Sequence, residues 1–148
     1  LLLVPAVDAK EFQDISGTYG VVVDWGNTRY EQISKNMCFW DTAYTLELAG
    51  DLTSPIYVVA KMKIKGDCFD WDAPANVHGK GSCAGATLDG QTGAFDVNAV
   101  FQHGNYMAWG QMTIQHATGE LAGLHGHIDI QGIAGVGGTY TGKVHFAP

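Results

Sequence analysis

Residues 117–129, ATGELAGLHGHID, constrain this chain more than any other stretch. Gly119, Gly123 and Gly126 punctuate two short apolar patches, Leu121-Ala122 and Leu124, and the segment runs straight into the alternating His127-Ile128-Asp129-Ile130. Glycine reaches backbone angles that a Cβ forbids, so this spacing suits a turn, a bend and a close approach between backbones. A strand needs that combination where it enters the wall of a small closed barrel. A small barrel usually keeps its function in its lumen.

Period two dominates the rest of the chain. Residues 17–25 put Tyr19, Val21, Val23 and Trp25 on one face, against Thr18, Val22 and Asp24. Residues 42–49 set Tyr44, Leu46 and Leu48 against Thr45 and Glu47, before a Gly50-Asp51 turn. Residues 57–65 direct Val58, Ala60, Met62 and Ile64 inward and three lysines outward. Residues 94–103 carry Phe95, Val97, Ala99, Phe101 and His103 on one side; Gly104-Asn105 turns the chain. Residues 106–116 then return antiparallel with Ala108, Met112 and Ile114 in register. Residues 127–131 and 139–146, joined by IAGVGG, supply two more strands. Residues 29–35 read as strand or short helix and are taken as strand, continued by the apolar 36–40. The loop 66–82, GDCFDWDAPANVHGKGS, is too long for a plain hairpin. With no amphipathic helix of normal length, an all-β, single closed antiparallel barrel of about eight strands is the economical fold, because closure removes exposed sheet edges.

Composition supports one globular domain over residues 11–148. The chain has 148 residues, 46% of them hydrophobic and 16% charged, and twenty glycines against four prolines suit short strands and tight turns. A net charge of −7 argues against nucleic acid, since nothing here neutralises a phosphate backbone. Lys61, Lys63 and Lys65 form the only basic cluster, and their alternation makes them one solvated strand face. No run of eighteen apolar residues exists to span a membrane as a helix. The opening LLLVPAVDA is similar to the end of a secretory signal, with an A-x-A-like site at Val7-Asp8-Ala9; an apolar N-terminal arm over residues 1–10 is the alternative. The location is accordingly secreted or periplasmic on the first reading and cytoplasmic on the second. Cys68 and Cys83 flank fourteen turn-rich residues and could pair, which by loop closure stabilises by about 3 kcal/mol. Cys38, between Met37 and Phe39-Trp40, would then remain a buried free thiol.

The stretch 86–126, with TLDGQTGAFDVNAV followed by ATGELAGLHG, resembles a bacterial family of unknown function with allene-oxide-cyclase-like barrels. Ser16-Gly17-Thr18-Tyr19 is similar to that family's S-G-T-aromatic first strand. Dirigent proteins and plant allene oxide cyclases share a looser version of the glycine motif. The likeness covers a third to half of the chain and implies an eight-stranded, calycin-type barrel, often oligomeric, with an apolar lumen. It implies no established activity for the bacterial relatives. The better-known relatives steer cyclisations or couplings by shaping the substrate and excluding water.

Three constellations carry chemistry. His125, His127 and Asp129 share one strand face, and two histidines at that spacing on a strand can ligate one zinc with a third ligand from elsewhere. Ile128 and Ile130 are the obvious core residues opposite, so the polar strip is expected outside and no metal site is assigned. His103, Tyr106 and His116 are the candidate catalytic residues, on faces read as inward and near the barrel mouths, where a near-neutral histidine beside a tyrosine can act as general acid or base. Tyr19, Trp25, Tyr44, Met62, Phe95, Phe101 and Met112 would wall the ligand. Phe69 and Trp71, in the long loop with Asp67, Asp70 and Asp72, would cover the mouth as a lid. That carboxylate cluster lacks the glycine and distal glutamate of a calcium loop.

Two functions follow. The first is a cofactor-independent enzyme of cyclase, isomerase or lyase type, acting on an apolar small molecule by orientation and desolvation. The second is a non-catalytic barrel that binds or carries a hydrophobic ligand outside the cytoplasm. The resemblance tips the choice towards the enzyme. Val22, Val59 and Trp109, apolar on outer faces, hint at a homo-oligomer.

Overall fold

The computed structural model describes residues 12–147. Nine strands follow in order: β1 (Gln13–Val23), β2 (Arg29–Ser34), β3 (Met37–Gly50), β4 (Leu52–Ile64), β5 (Ala75–Leu88), β6 (Gln91–Gly104), β7 (Met107–Gly119), β8 (Leu124–Ile133) and β9 (Gly137–Phe146). A short 3₁₀ turn, Trp25–Asn27, joins β1 to β2. Every pairing is antiparallel. From β3 to β9 each strand pairs with its successor, β9 returns to β1, and β1 closes on β3. Eight strands thus form a closed up-and-down barrel. β2 stands outside it, paired only with β3 and exposed along its whole length.

Alternation sets which residues fill the interior. In β4 Leu52, Ser54, Ile56, Val58, Ala60, Met62 and Ile64 are buried in strict alternation. β5 was hidden in the expected 66–82 loop, whose true extent is 65–74. The alternation is present there (Asn76, His78 and Lys80 outward), but the inward side reads Ala75, Val77, Gly79, Gly81 and carries little hydrophobic signal. The small residues are required. A Cβ at Gly79 would press within 2.9 Å of Ala60 and Val58, and one at Gly81 would meet Val97. The 29–40 segment is strand, as expected, but it turns at Lys35-Asn36, and residues 37–50 form one continuous strand.

The glycine-rich segment 117–129 closes one end. Gly119 and Gly123 take φ of +70° and +86°, and the turn they frame buries Leu121 completely, with Leu124 beside it. Gly126, at φ +142°, lets β8 approach β9 so closely that a methyl group would strike the Lys143 carbonyl oxygen. Tyr140 completes this end. Its hydroxyl donates to the Leu52 carbonyl (2.7 Å) and accepts from the Leu52 N–H (3.0 Å), joining β9 to β4 across the interior.

The disulfide expectation is overturned. Cys38 bonds to Cys68, with Cα atoms 5.1 Å apart, and Cys83 is the buried free thiol. Cys83 sits in the wall of β5 facing Phe95 of β6, whereas Cys38, at the start of β3, lies under the 65–74 loop. Sequence separation is a poor guide once a barrel brings distant strands together. No helix among the described residues is long and apolar enough to cross a membrane.

Candidate functional site

The end of the barrel opposite Leu121 is not filled. A cavity of about 260 Å³ opens there, close to the lower edge of the roughly 300–1,000 Å³ typical of small-molecule pockets. Its floor is Leu46, Met62, Val77 and Phe101, and Trp25, Trp40 and Trp71 wall the mouth. Alternation brings Trp40 and Leu46 inward from β3, Met62 from β4, Val77 from β5 and Phe101 from β6, while the 3₁₀ turn contributes Trp25 and the 65–74 loop Trp71. None of the eighteen lining residues is Asp, Glu, Lys or Arg.

The rim is fastened by backbone hydrogen bonds. Tyr106 N–H donates to the Trp71 carbonyl (3.0 Å), Asn105 N–H to that of Asp72 (3.1 Å), and Ala134 N–H to that of Tyr106 (2.9 Å). The 65–74 loop, the β6–β7 turn and the β8–β9 turn are therefore one connected rim. The Cys38–Cys68 bond anchors the same loop, and Trp40 Nε1 donates to the Cys68 carbonyl at 3.0 Å. Trp40 is the hub of the aromatic wall, with ring centroids 5.9 Å from Trp25, 5.1 Å from Tyr30, 5.3 Å from Phe69 and 5.8 Å from Trp71.

Polar groups in the wall fall into two sets. Trp40 Nε1 is satisfied by Cys68, and the Thr42 hydroxyl lies 3.0 Å from that of Thr28. The buried hydroxyls of Tyr19 and Tyr44 and Nδ1 of His103 have no partner. Leaving such a group unmade costs about 1–3 kcal/mol. Burial pushes the Tyr44 phenol far above the usual tyrosine range, and the neighbouring Tyr19 phenol adds to the effect. Burial raises Tyr19 likewise. It lowers His103 from the ordinary histidine value, which favours the neutral imidazole near pH 7. The site is thus uncharged, with two protonated phenols inside and a neutral imidazole at the rim, 6.0 Å ring to ring from Trp71.

Of the residues expected to bind ligand, Tyr19, Trp25, Tyr44, Met62, Phe101 and Trp71 line the cavity, and so does His103 from the expected catalytic set. Phe95 and Met112 are inward but buried deeper, in the packed core. Phe69 lies outside the cavity, half-exposed, edge-on to Tyr30 and Trp40. The loop is therefore a stapled part of the wall, with Trp71 its contribution.

Two of the expected catalytic placements are corrected. Tyr106 occupies the tight β6–β7 turn, where Asn105 and Tyr106 both have positive φ, and its ring is exposed to solvent. His116 sits where the register slips between β6 and β7, at φ +53°. That extra residue reverses the alternation after Ile114 and sends the imidazole outward, where Nδ1 lies 3.3 Å from Asp96. Both side chains are exposed to solvent, and neither residue is among those that line the cavity with His103.

The His125, His127 and Asp129 strip does lie on the outer face, His127 Nε2 being 3.4 Å from Asp129. Asp67, Asp70 and Asp72 are exposed, and Asp70 accepts from the Asp72 N–H. No cluster of three metal-ligating side chains occurs among the described residues.

Trp40, Thr42, Val77, Ile130 and Ile133 also line the cavity and were not singled out from the sequence. Trp40 was legible. Reading 38–46 as one strand puts Cys38, Trp40, Thr42, Tyr44 and Leu46 on a single face.

Fold and cavity together define a closed eight-stranded β-barrel with one filled end and one open, aromatic-walled end. No family model matches the chain, and no curated protein does. Among solved structures, a protein of unknown function from the DUF3224 family of Shewanella oneidensis MR-1 is similar, with a TM-score of 0.70 at 16% identity over 93% of this chain and 100% of the other. At that identity the likeness shows the barrel fold.

Proposed function

We propose that the open end of the lumen binds an apolar small molecule. The observation that carries this is the contrast in filling: alternation packs the barrel solidly around Phe95, Met112 and Leu121, then leaves about 260 Å³ bounded by three tryptophans. An apolar wall open to water forfeits the dispersion contacts an apolar occupant would restore. N-phenyl-1-naphthylamine, a neutral fluorescent probe, tests the reading. It should bind the wild-type chain, and Ala108→Phe, which intrudes on the cavity, should raise Kd at least ten-fold with the circular dichroism spectrum unchanged. Equal binding to both chains, or none to either, overturns the proposal.

Binding is the form of the proposal the geometry favours, and this reverses the preference drawn from the sequence. Without Tyr106 and His116, His103 is the one histidine in the wall, and no carboxylate among the lining residues orients it or takes its proton. A cofactor-independent isomerase, cyclase or lyase would have to work through shape and through His103 alone. The likeness to allene oxide cyclases and dirigent proteins supports that version only by analogy. His103→Gln separates the two: a carrier keeps its affinity and loses nothing else, while an enzyme loses turnover. The Cys38–Cys68 bond supports an oxidising, extracytoplasmic compartment. Exposed Val22, Val59 and Trp109 support contact between copies of the chain.

A further inference from the structure

The orphaned polar groups say something about the occupant that the apolar wall does not. Phenylalanine at positions 19 and 44 would fill the same space without burying a hydroxyl that has no partner. Other buried or half-buried polar groups find partners: Tyr140 makes two hydrogen bonds, Trp40 donates to Cys68, and Thr42 pairs with Thr28. Among the described residues, the unpartnered exceptions besides the two phenols are Nδ1 of His103, in the same cavity, and Nδ1 of His145, outside it. Tyr19 and Tyr44 carry the two buried side-chain hydroxyls without a partner among the described residues, and both residues line the same cavity.

We propose, on the reading that the lumen binds a small molecule, that it selects an uncharged ligand bearing a carbonyl oxygen, and that Tyr19 and Tyr44 donate hydrogen bonds to that oxygen. The two phenols hold their protons, because burial disfavours the phenolate, so both present O–H donors across the physiological range. A carbonyl oxygen offers two lone pairs and no charge. An anion is disfavoured, since no lysine or arginine lines the cavity and the one imidazole is held neutral by burial. A ketone, quinone or lactone on an apolar skeleton has the required chemistry.

Three compounds on one skeleton test this by calorimetry with the full chain at pH 7.5: 2-acetylnaphthalene, its hydrocarbon isostere 2-isopropenylnaphthalene, and 2-naphthoate. The ketone should bind about ten-fold more tightly than the alkene, and the carboxylate at least ten-fold more weakly than the alkene. Combined Tyr19→Phe and Tyr44→Phe should bring the ketone down to the alkene's affinity and leave the alkene unchanged, which also shows that the doubly substituted chain is folded. Equal affinity for ketone and alkene in the wild type overturns the carbonyl assignment while leaving the lumen a binding site. Tightest binding by naphthoate overturns it too, in favour of an anion site. Failure of all three to bind removes the binding-site reading itself.

Discussion

At one end of the barrel Tyr140 is buried with its hydroxyl bonded twice to Leu52, beneath the plug formed by Leu121 and Leu124. At the other, the hydroxyls of Tyr19 and Tyr44 are buried with nothing bonded to them. The residue type and the barrel wall are the same, and the difference lies in whether each hydroxyl finds a partner in the fold. Tyr140 ties β9 to β4 and contributes to stability. Tyr19 and Tyr44 carry an unsatisfied cost in the fold, the kind of local inconsistency that functional sites retain. The fastenings differ as well. The filled end relies on close backbone approach and core packing; the open end relies on a disulfide and backbone hydrogen bonds between its loops.

Breaking the fastening of the open end should have the largest effect. The Cys38–Cys68 bond spans a sequence separation of 30, and loop-closure entropy for that length is worth roughly 3.5 kcal/mol. Cys38→Ser with Cys68→Ser should lower the unfolding free energy by about that amount in urea, whereas a conservative Cys83→Ala should not alter the response to reductant. Next comes the filled end. Tyr140→Phe strands the Leu52 N–H and carbonyl and should cost about 2 kcal/mol. The same substitution at Tyr19 and Tyr44 should change stability by less than about 0.5 kcal/mol or improve it, because it removes buried groups that lack partners. A loss at positions 19 and 44 equal to that at 140 would erase the distinction between the two ends.

The finest probe is pH. His103 is lowered by burial, so the unfolded chain takes up its proton first as pH falls. Stability from this group is complete above about 6.5, its ordinary value, and is lost as pH drops through the lowered folded value. His103→Gln should therefore lose less stability than wild type between pH 7 and pH 5, measured by urea midpoints. Parallel curves would mean that the imidazole is solvated at the rim.

Much of the barrel was legible from alternation and glycine spacing, and the reasons for the failures are physical. β4 and β6 announced themselves because their inward residues are large and apolar. β5 did not, because its inward glycines make room for Val58, Ala60 and Val97. His103 was placed correctly since β6 alternates without interruption up to it. His116 was misplaced by a single bulge, which no local pattern reveals and which inverts every assignment beyond it. Tyr106 shows the same limit in another form. A large aromatic at a turn position with positive φ contradicts the usual preference, so its exposure follows from the register of the hairpin rather than from the residue. The disulfide was beyond sequence reasoning, because any of the three cysteines could pair until the fold set their distances.

The linked rim has a consequence for how a ligand would arrive. With the Trp71, Tyr106 and Ala134 segments already bonded to one another, no loop has to order itself when the lumen fills. Binding then escapes the conformational entropy that mobile loops surrender on closure. Its thermodynamic signature should be a negative heat-capacity change set by the apolar area covered, with no added contribution from folding at the mouth. On the proposed reading, a vessel built this way is preorganised, and its selectivity would reside in shape and in two hydroxyl groups rather than in motion.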